Sequence, residues 1–383
     1  MLIDVTRLAD RMLQGRLPTG VDRVSLEYVR HFRARSRALV RVAGRWVVVN
    51  CGDSQRVFEA LLAPDADCSR VVRWCVGRSY ALSWGGSGRL AVLLNTGHSG
   101  LELPGYAGQV RRSGWKPIFF LHDLIPITHP EYCRSGEADK HRRRLETMRV
   151  AGQGLIVNSS ATRDALDGFA GRNGWPVPPC VVAPLAPARL PTPAVSRLLA
   201  ESYFVVLGTI EPRKNHVLLL QLWRQLVEEL GASSPRLVVI GQRGWECEQV
   251  VDLLERCAAL QGIVVEQSHC SDADLSTWLH HARALLFPSF TEGYGIPMVE
   301  ALSQGVPVIA SDLPVFREIA QDIPDYLDPH DGAGWKRRIL DYAQPDSAAR
   351  MAQCLRMEGF RVPTWEEHFV LIGDLMRDVY GSH

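Results

Sequence analysis

Two glutamates flank a glycine-rich turn in the stretch FPSFTEGYGIPMVEAL, residues 287–302: Glu292 precedes Gly293 and Gly295, and Glu300 follows them. The glycines allow the backbone to approach a ligand closely. Free amides at the start of the helix that follows attract anions. The carboxylates cannot bind such an anion, so they need a neutral partner with hydroxyl donors. A sugar nucleotide offers both, because it carries a diphosphate together with sugar and ribose hydroxyls.

The helix after this turn is predicted to begin near Ile296, because Pro297 is suited to a first helical turn. This places Glu292 in the loop and Glu300 in the first turn. Eight residues of helix rise about 12 Å, so the two glutamates are not expected to form an acid–base pair. An ordinary structural role for each stays open, in which Glu300 complements the helix dipole and Glu292 is a solvated loop charge.

Two cations follow the apolar run YFVVL, in the loop GTIEPRKNH at residues 208–216. Arg213 and Lys214 stand at the end of the predicted strand, and Asn215 is a reasonable N-cap for the helix beyond it. Arginine offers a fork of donors and lysine a point charge, so the pair is suited to clamping a diphosphate. Two exposed basic residues are the alternative interpretation.

Two further candidates lie at strand ends in the first half of the chain. Gly20 stands where LPTGVDRV turns into a helix, with Asp22 and Arg23 in its first turn. A single glycine is not the G-x-G-x-x-G fingerprint, so usual dinucleotide binding is unsupported. His122 follows the run IFFL, where a histidine can position a ligand or transfer a proton. His129 is a weaker candidate, and a turn glycine and a structural histidine remain the alternatives.

Twelve short, mostly β-branched apolar runs alternate with helical patterns along the chain. Strands that are apolar on both faces and alternate with helices indicate parallel sheets covered on both sides. The pattern therefore predicts an α/β fold of two doubly wound, Rossmann-like parallel-sheet domains. The runs are 2–5, 38–42, 46–50, 91–95, 118–121, 155–158, 181–183, 203–207, 236–240, 262–266, 284–287 and 306–310.

A proline-rich stretch, PLAPARLPTP at 184–193, divides these runs into two sets. Such density of proline gives a stiff, extended connector. We therefore predict a first domain at 1–190 and a second at 191–362, with the C-terminal helix at 363–383 packing back on the first. Ligands of open α/β sheets bind at the carboxyl ends of the strands, so an interdomain cleft is the expected site.

Composition excludes several classes of function. The formal net charge of +1 gives no field that would attract nucleic acid. Nine cysteines without a C-x-x-C pair favour neither a disulfide framework nor a zinc site, and indicate a reducing cytoplasm. No apolar run approaches the length of a membrane span.

The basic clusters at 30–37 and 140–144 are either solvated helix faces or contacts for the inner face of an anionic membrane.

Together, TGVDRV, HDLIPITHPEY, NSSATRDAL, LGTIEPRKNH and FPSFTEGYGIPMVEALSQGVPVIASDLPVFRE resemble the retaining glycosyltransferases of family 4, the glycosyl transferases group 1, which have the GT-B fold. The resemblance extends to about Glu318, and the E-x7-E spacing of Glu292 and Glu300 is its most specific part. It implies transfer of a hexose from a nucleotide sugar, for example GDP-mannose, to a glycan or lipid-linked oligosaccharide in surface polysaccharide biosynthesis, such as that of capsule or lipopolysaccharide.

The resemblance also implies roles for residues around the donor. Arg213 and Lys214 would neutralise the departing nucleoside diphosphate, and Glu300 would bind the ribose hydroxyls. Gly20 would let the first helix approach the phosphates. Two cations and helix amides can stabilise the leaving group without acid catalysis. The family typically needs no metal, so the resemblance implies that neither a metal nor a cofactor is required.

The transferred sugar would be held by Glu292 and by the amides around Gly293, Tyr294 and Gly295, with His122 in contact from the other domain. Retention would proceed by front-face attack, in which a donor phosphate oxygen accepts the acceptor's proton. Glu292 is disfavoured as a covalent nucleophile because its carboxylate is assigned to hydroxyl binding.

Two other kinds of protein stay open. One is a non-catalytic subunit that binds sugar nucleotides or glycans. The other is a sugar-nucleotide epimerase, or a phosphorylase, with the same fold. Slow hydrolysis of a donor separates an enzyme from a binding protein.

Overall fold

The computed structural model describes residues 1–82 and 91–381, which form two compact units. The first unit contains Met1–Ile127, Ala138–Leu185 and the segment from Trp365 onward, and the second contains Thr128–Glu137 and Ala186–Thr364. The predicted linker at 184–193 spans the division after Leu185. Residues 128–137, which the sequence prediction places in the first domain, group with the second unit.

The first unit contains a seven-stranded sheet in the order β3-β2-β1-β4-β5-β6-β7. Its strands are β1 Leu2–Asp4, β2 Arg37–Val42, β3 Arg45–Val48, β4 Val92–Asn95, β5 Lys116–Leu121, β6 Gly154–Val157 and β7 Cys180–Val182. The associated helices are α1 Thr6–Leu13, α2 Gly20–Phe32, α3 Cys51–Leu62, α4 Cys68–Leu82, α5 Tyr106–Ser113, α6 Ile125–Thr128, α7 Glu137–Ala151 and α8 Ser160–Asn173.

The second unit contains a six-stranded sheet in the order β10-β9-β8-β11-β12-β13, and all its pairings are parallel. Its strands are β8 Tyr203–Leu207, β9 Arg236–Ile240, β10 Val264–Gln267, β11 Leu285–Phe287, β12 Val308–Ser311 and β13 Asp325–Leu327. Its helices are α9 His216–Leu230, α10 Glu248–Arg256, α11 Asp272–His280, α12 Ile296–Ser303, α13 Pro314–Ala320, α14 Gly332–Ala343 and α15 Ala348–Met357.

The predicted α/β class is confirmed, and each of the twelve predicted runs overlaps a strand. Two details differ from the prediction. Strand β3 pairs antiparallel with β2, because Ala43 and Gly44 both have positive φ and form a tight hairpin turn. Strand β13 was not predicted, because this half-buried edge strand spans only DYL and has no apolar run.

The last helix, α16 Trp365–Gly381, packs against β6 and β7 of the first unit. His368 fixes it there, because its Nδ1 donates to Pro184 O at 2.9 Å and its Nε2 accepts from Tyr28 Oη at 2.8 Å. Burial lowers the pKa of His368 to about 4, so this imidazole is neutral. Residues 382–383 of the predicted helix lie outside the described residues. Within the described ranges, no helix is both long and apolar enough to cross a membrane.

Candidate functional site

The second unit places two chemistry-bearing loops side by side. Strands β8 and β11 are neighbours in the sheet, and helices α9 and α12 follow them along the chain. The strand order reverses between β8 and β11, which makes their carboxyl ends the topological switch point where open α/β sheets bind ligands. The loop after β8 forms a 3-10 turn at Pro212–Lys214. The loop after β11 contains Glu292.

Arg213 and Lys214 meet Glu292 in a compact ion cluster. Lys214 Nζ lies 2.5 Å from Glu292 Oε1, and Arg213 Nη1 lies 2.6 Å from Glu292 Oε2. Arg213 Nε also contacts Glu211 Oε1 at 2.5 Å, and Ser289 Oγ donates to Glu292 Oε1 at 2.8 Å. Two cations and two carboxylates therefore neutralise each other at the end of the sheet.

This cluster is largely shielded from solvent. The Glu292 side chain is 7% exposed and that of Lys214 is 10% exposed. Burial by itself would raise the pKa of Glu292, but the charges of Arg213 and Lys214 and the hydrogen bonds from Lys214 and Ser289 together lower it to about 2. Glu292 is thus ionised at any physiological pH, and it can only accept hydrogen bonds.

Two glycines give this cluster its space. Gly208, at φ +145°, ends β8, and a Cβ there would lie 3.3 Å from Lys214 Cε. Gly295, at φ +135°, is the N-cap of α12, and a Cβ there would lie 2.9 Å from Phe316 Cε1. Both conformations strongly favour glycine. The backbone can therefore turn closely past the ion cluster.

Glu300 lies within α12 and is 3% exposed. The helix begins at Ile296 as predicted, with Pro297 in its first turn, but no acidic residue lies in that turn. Glu300 is the fifth residue of the helix, so its predicted place in the first turn is wrong. Because Glu300 lies beyond the first turn, it is not placed to complement the helix dipole. The Glu292 side chain is buried, so it is not a solvated loop charge. Tyr294, in the preceding loop, is 5% exposed.

The start of α9 also differs from the prediction. Asn215 is the residue before the helix, but its φ is +55° and its side chain makes no capping bond. Its Nδ2 donates instead to Pro329 O at 3.0 Å. The next residue, His216, is 2% exposed, and neither of its ring nitrogens has a hydrogen-bond partner. Burial, and then the charge of Lys214, lower the pKa of His216 to about 3.

In the first unit, Gly20 begins α2 as predicted, and Thr19 and Asp22 form a capping box around it. Asp22 is 1% exposed, and its carboxylate contacts Arg7 Nε at 2.7 Å and Arg11 Nε at 2.9 Å. The sequence prediction missed this pair of arginines. The capping-box spacing T-x-x-D was a visible signal for Asp22, but nothing in the sequence indicated that residues of α1 would reach it.

His122 lies directly after β5 and is 7% exposed. Its Nε2 donates to Thr96 O at 2.7 Å, because a carbonyl oxygen can only accept. Burial lowers the pKa of His122 to about 4, against smaller raising effects from Thr96 and Asp123. His122 is therefore a neutral ring that offers Nδ1 as an acceptor. His129 lies outside this unit, in the 128–137 segment, with Nδ1 2.9 Å from Thr128 Oγ1.

The sequence contains two D-x-D pairs, 65–67 and 272–274, which the expectation of a metal-independent site overlooked. Asp67 pairs with Arg70 at 3.1 Å on the first unit. Asp274 accepts from Ser271 Oγ at 2.7 Å in the first turn of α11. Among the described residues, no group of three or more His, Cys, Asp or Glu side chains could hold a metal ion. Metal independence remains a prediction.

The second unit thus brings together Arg213, Lys214 and Glu292. The other two candidates, Gly20 and His122, belong to the first unit. Sequence reasoning missed Glu211 and Ser289, which contact Arg213 and Glu292. Their positions offered a weak signal, since Ser289 lies three residues before Glu292 and Glu211 two before Arg213.

Comparison with known proteins identifies the family. The family model for glycosyl transferases group 1 matches residues 195–327, which include this ion cluster. The O-antigen chain mannosyltransferase B of Escherichia coli is 34% identical over 262 residues, which cover 66% of this chain and 67% of that protein. The chain belongs to the group 1 glycosyltransferases. The resemblance stated from the motifs is confirmed.

Another mannosyltransferase is similar over a smaller share of its length. The serotype-specific mannosyltransferase WbdA of Escherichia coli is 29% identical over 243 residues, which are 59% of this chain and 30% of WbdA. The chain thus matches less than a third of that relative.

Solved structures agree with the GT-B class. Anabaena Alr3699/HepE, solved in complex with UDP and glucose, has a TM-score of 0.67 at 15% identity. The match covers 100% of this chain and 99% of the HepE chain. The sucrose-phosphate synthase of Thermosynechococcus elongatus has a TM-score of 0.62 at 16% identity and covers 94% and 92%. At such identities these likenesses show the fold alone, and they confirm the predicted fold class.

Proposed function

We propose that this chain is a retaining, metal-independent glycosyltransferase that moves a hexose from a nucleotide sugar to a glycan or a lipid-linked oligosaccharide in surface polysaccharide biosynthesis. The similarity to an O-antigen chain mannosyltransferase and to a serotype-specific mannosyltransferase supports mannose as the sugar and GDP-mannose as the first donor to test.

The observation that carries the proposal is the buried cluster of Arg213, Lys214 and Glu292 at the switch point of the second sheet. A diphosphate leaving group needs positive charge as the anomeric bond breaks, and Arg213 and Lys214 supply two cations in a site of low solvent exposure. These cations already lie together at the end of the sheet, and a diphosphate that enters competes with Glu292 for them.

Glu292 is assigned to the hydroxyls of the transferred sugar. Its low pKa keeps it an acceptor, which suits hydroxyl donors and excludes a role as general acid. Glu300, buried in α12, is assigned to the ribose. Gly20, which is exposed at the start of α2, is assigned to the phosphates.

His122 is assigned to a sugar hydroxyl as a neutral acceptor. Its Nε2 proton is committed to Thr96 O, so only Nδ1 is available to a substrate. With a pKa of about 4 the ring is neutral at neutral pH, so Nδ1 carries no proton to donate. We therefore propose a binding role for His122 and not proton transfer.

Incubation with GDP-mannose, GDP-glucose, UDP-glucose and UDP-N-acetylglucosamine tests the activity directly. We expect slow hydrolysis of one donor, with retention of the anomeric configuration in the first sugar released, and faster turnover when an oligosaccharide acceptor is added. Tight binding of a donor without any hydrolysis, under the same conditions and with a competent acceptor, would favour the non-catalytic binding subunit instead.

We also propose that the protein acts in the cytoplasm and contacts an anionic membrane surface. All nine cysteines are free thiols, which supports a reducing compartment. In the cluster at 30–37, Arg30 pairs with Glu27, and Arg37 donates to Val49 O at 2.8 Å. Arg33 and Arg35 form no ion pair within the described residues, so they are the candidates for lipid phosphates.

The second cluster, at 140–144, includes Arg142, which pairs with Asp139 at 2.8 Å. Flotation with phosphatidylcholine vesicles, with and without phosphatidylglycerol, tests both clusters. Each basic residue near an anionic surface contributes about 1 kcal/mol, so Arg33→Gln with Arg35→Gln should lower binding roughly tenfold or more. Arg70→Gln is the matched control, because Arg70 is exposed in the same unit, pairs with Asp67 and lies outside both clusters. Binding that does not depend on phosphatidylglycerol would contradict the proposal.

A further inference from the structure

Two histidines in the first unit cap each other's strand ends. His122 Nε2 lies 2.7 Å from Thr96 O, and His98 Nε2 lies 2.7 Å from Phe120 O. The rings are 5.2 Å apart between centroids and inclined at 61°. Each ring therefore bonds the backbone two residues before the other ring.

The register of the sheet explains this reciprocity. Strand β4 ends at Asn95, which is the register partner of Phe119 in β5. His98 lies three residues after Asn95 and His122 three residues after Phe119, so the two histidines occupy equivalent positions. Beyond Asn95 no strand residue remains on this side of β5, so the two ring N–H groups bond the carbonyls that a longer ladder would have satisfied.

Because a carbonyl oxygen can only accept, both rings must carry their proton on Nε2 and expose Nδ1 as a lone pair. The tautomer of His122 is thus set by Thr96, and the position of Thr96 depends on a loop that is held two residues later by His98. His98 adopts a left-handed backbone, with φ +58°. This conformation is uncommon for a side chain with a Cβ, and its occurrence next to a binding residue indicates a constrained loop.

We propose that His98 is a positioning residue that keeps His122 in the neutral Nε2–H tautomer, so that His122 Nδ1 accepts a hydroxyl of the substrate. The contact between His122 and a substrate rests on the proposed function. The effect of His98 on the His122 tautomer is a property of the protein alone, and it can be tested without any ligand.

The surroundings favour neutral rings. His98 faces His122 and two residues of α7, His141 and Arg144. The ring centroids of His98 and His141 are 5.8 Å apart. Burial first, and then these three neighbours, hold the pKa of His98 well below its usual range. His141 is bonded in the same manner, with Nε2 3.0 Å from Asp123 O.

His122 has charged neighbours of both signs. Asp123 and Asp22 favour its protonated form and Arg7 opposes it. Burial outweighs them, so the tautomer and the charge of His122 depend on how well the 96–98 loop covers the ring. Loss of the His98 bond would admit water and allow the pKa of His122 to return toward that of a free imidazole.

Nitrogen-detected NMR of the full-length protein, labelled at histidine and without ligand, tests the tautomer. The wild type should show His122 as Nε2–H from pH 8 to pH 5. His98→Leu should give a mixture of tautomers and raise the titration midpoint of His122 by about one pH unit. His98→Gln retains a donor in the place of Nε2, so it should restore the wild-type spectrum. An unchanged His122 signal in His98→Leu would overturn the proposal.

Val110→Ala is the matched control for stability. Val110 is a core residue of the same unit, 2% exposed, so this change loosens the unit without touching either ring. It should leave the His122 tautomer and midpoint as in the wild type. If Val110→Ala shifts the His122 midpoint as much as His98→Leu does, the effect is one of general destabilisation and the positioning role is wrong.

A double-mutant cycle in GDP-mannose hydrolysis tests the route of the effect. His98→Leu should lower kcat by about tenfold to a hundredfold, as a misplaced binding group does. In the background of His122→Leu, the same change should cause no further loss. Equal losses in both backgrounds would show that His98 does not act through His122. If no donor is turned over, the proposed function fails, whereas the NMR result still decides the positioning role.

Discussion

Lys214 Nζ lies 2.5 Å from Glu292 Oε1, so the lysine of the proposed diphosphate clamp is already neutralised by the carboxylate proposed to bind the sugar. Arg213 is neutralised by the same carboxylate and by Glu211. Motif reasoning had assigned the cations and Glu292 to different parts of the donor, as if they were independent. The contact couples them, because any anion that enters the site competes with Glu292 for Arg213 and Lys214.

This coupling predicts opposite effects of Glu292→Gln on product binding and on turnover. Removal of the charge releases Lys214 and Arg213 from Glu292, while Glu211 still pairs with Arg213, so the affinity for GDP should rise by about tenfold, or about 1.4 kcal/mol. Donor turnover should fall by about a hundredfold, since the sugar loses its charged hydrogen-bond acceptor. Calorimetric titration with GDP and a donor-hydrolysis assay measure the two quantities.

The control for net charge is Glu229→Gln in the same unit. Glu229 pairs with Lys336 at 2.5 Å and is 55% exposed, so its loss should leave both quantities unchanged. Should Glu292→Gln bind GDP more weakly than the wild type, the competition inferred from the ion cluster does not exist.

Glu300→Gln should weaken donor and product alike, because the ribose is present in both. Hydrogen bonds to a charged group contribute about 1.5–3 kcal/mol, which corresponds to roughly a 10- to 150-fold loss of affinity. The same titrations with GDP-mannose and GDP measure it. A loss confined to GDP-mannose would place Glu300 at the sugar and contradict the assignment.

His216→Leu should stabilise the protein, and more so in acid. The ring is buried without a hydrogen-bond partner, so replacement by an apolar side chain should raise the free energy of unfolding by about 1–3 kcal/mol. Its folded-state pKa of about 3 lies below that of the unfolded chain, so the wild type loses stability as the pH falls from 6.5 toward 3. The variant has no imidazole at this position to protonate, so it does not lose this stability.

Urea unfolding at pH 8 and at pH 5 measures this difference. Between pH 6.5 and 5 the advantage of the variant should grow by about 2 kcal/mol. His269→Leu, at an exposed position of the same unit, serves as the control and should show no such growth. A constant advantage at both pH values would mean that His216 is not a neutral buried ring.

Gly295→Ala should destabilise the second unit by about 1–3 kcal/mol, because φ is +135° and the new Cβ would lie 2.9 Å from Phe316 Cε1. Donor turnover should fall as well, since Gly295 follows the Glu292 loop directly. Gly171→Ala is the matched control, because this glycine lies within α8 with no atom within 4 Å of an added Cβ. It should stabilise the protein by about 0.5–1 kcal/mol. Thermal unfolding measures both, and equal effects would contradict the assigned strain.

Activity should survive EDTA, because Arg213 and Lys214 supply the positive charge that a divalent ion would otherwise provide. Donor hydrolysis before and after chelation measures this, with the Asp272→Asn and Asp274→Asn variants tested for a role of the D-x-D pair in α11. Complete loss in EDTA, restored by Mg²⁺ or Mn²⁺, would remove the argument for a two-cation clamp.

Most of the fold could be predicted, because buried parallel strands are continuous apolar runs that stand out in a sequence. Both loops of the ion cluster were also found, since the residues that follow such strands meet at one edge of the sheet. The missed strand at Asp325–Leu327 lies at an edge and is only half buried, so its pattern is weak.

The contacts between side chains could not be predicted. Spacing indicates that Lys214 and Glu292 reach the same edge, but not that they bond each other instead of waiting for a ligand. Asn215 has a capping residue's identity and position, yet its left-handed backbone turns the side chain to Pro329. His98 gave no signal because its role depends on the register between β4 and β5, which is a property of two strands together.

The division of the chain limits how this protein can be recombined with its relatives. The polypeptide passes between the units four times, after Ile127, Glu137, Leu185 and Thr364. A chimaera with a single junction near Leu185 would separate Tyr28 from the His368 of its own parent. Two junctions, after Leu185 and after Thr364, keep Tyr28 with its own His368, and exchange of the whole first unit requires all four.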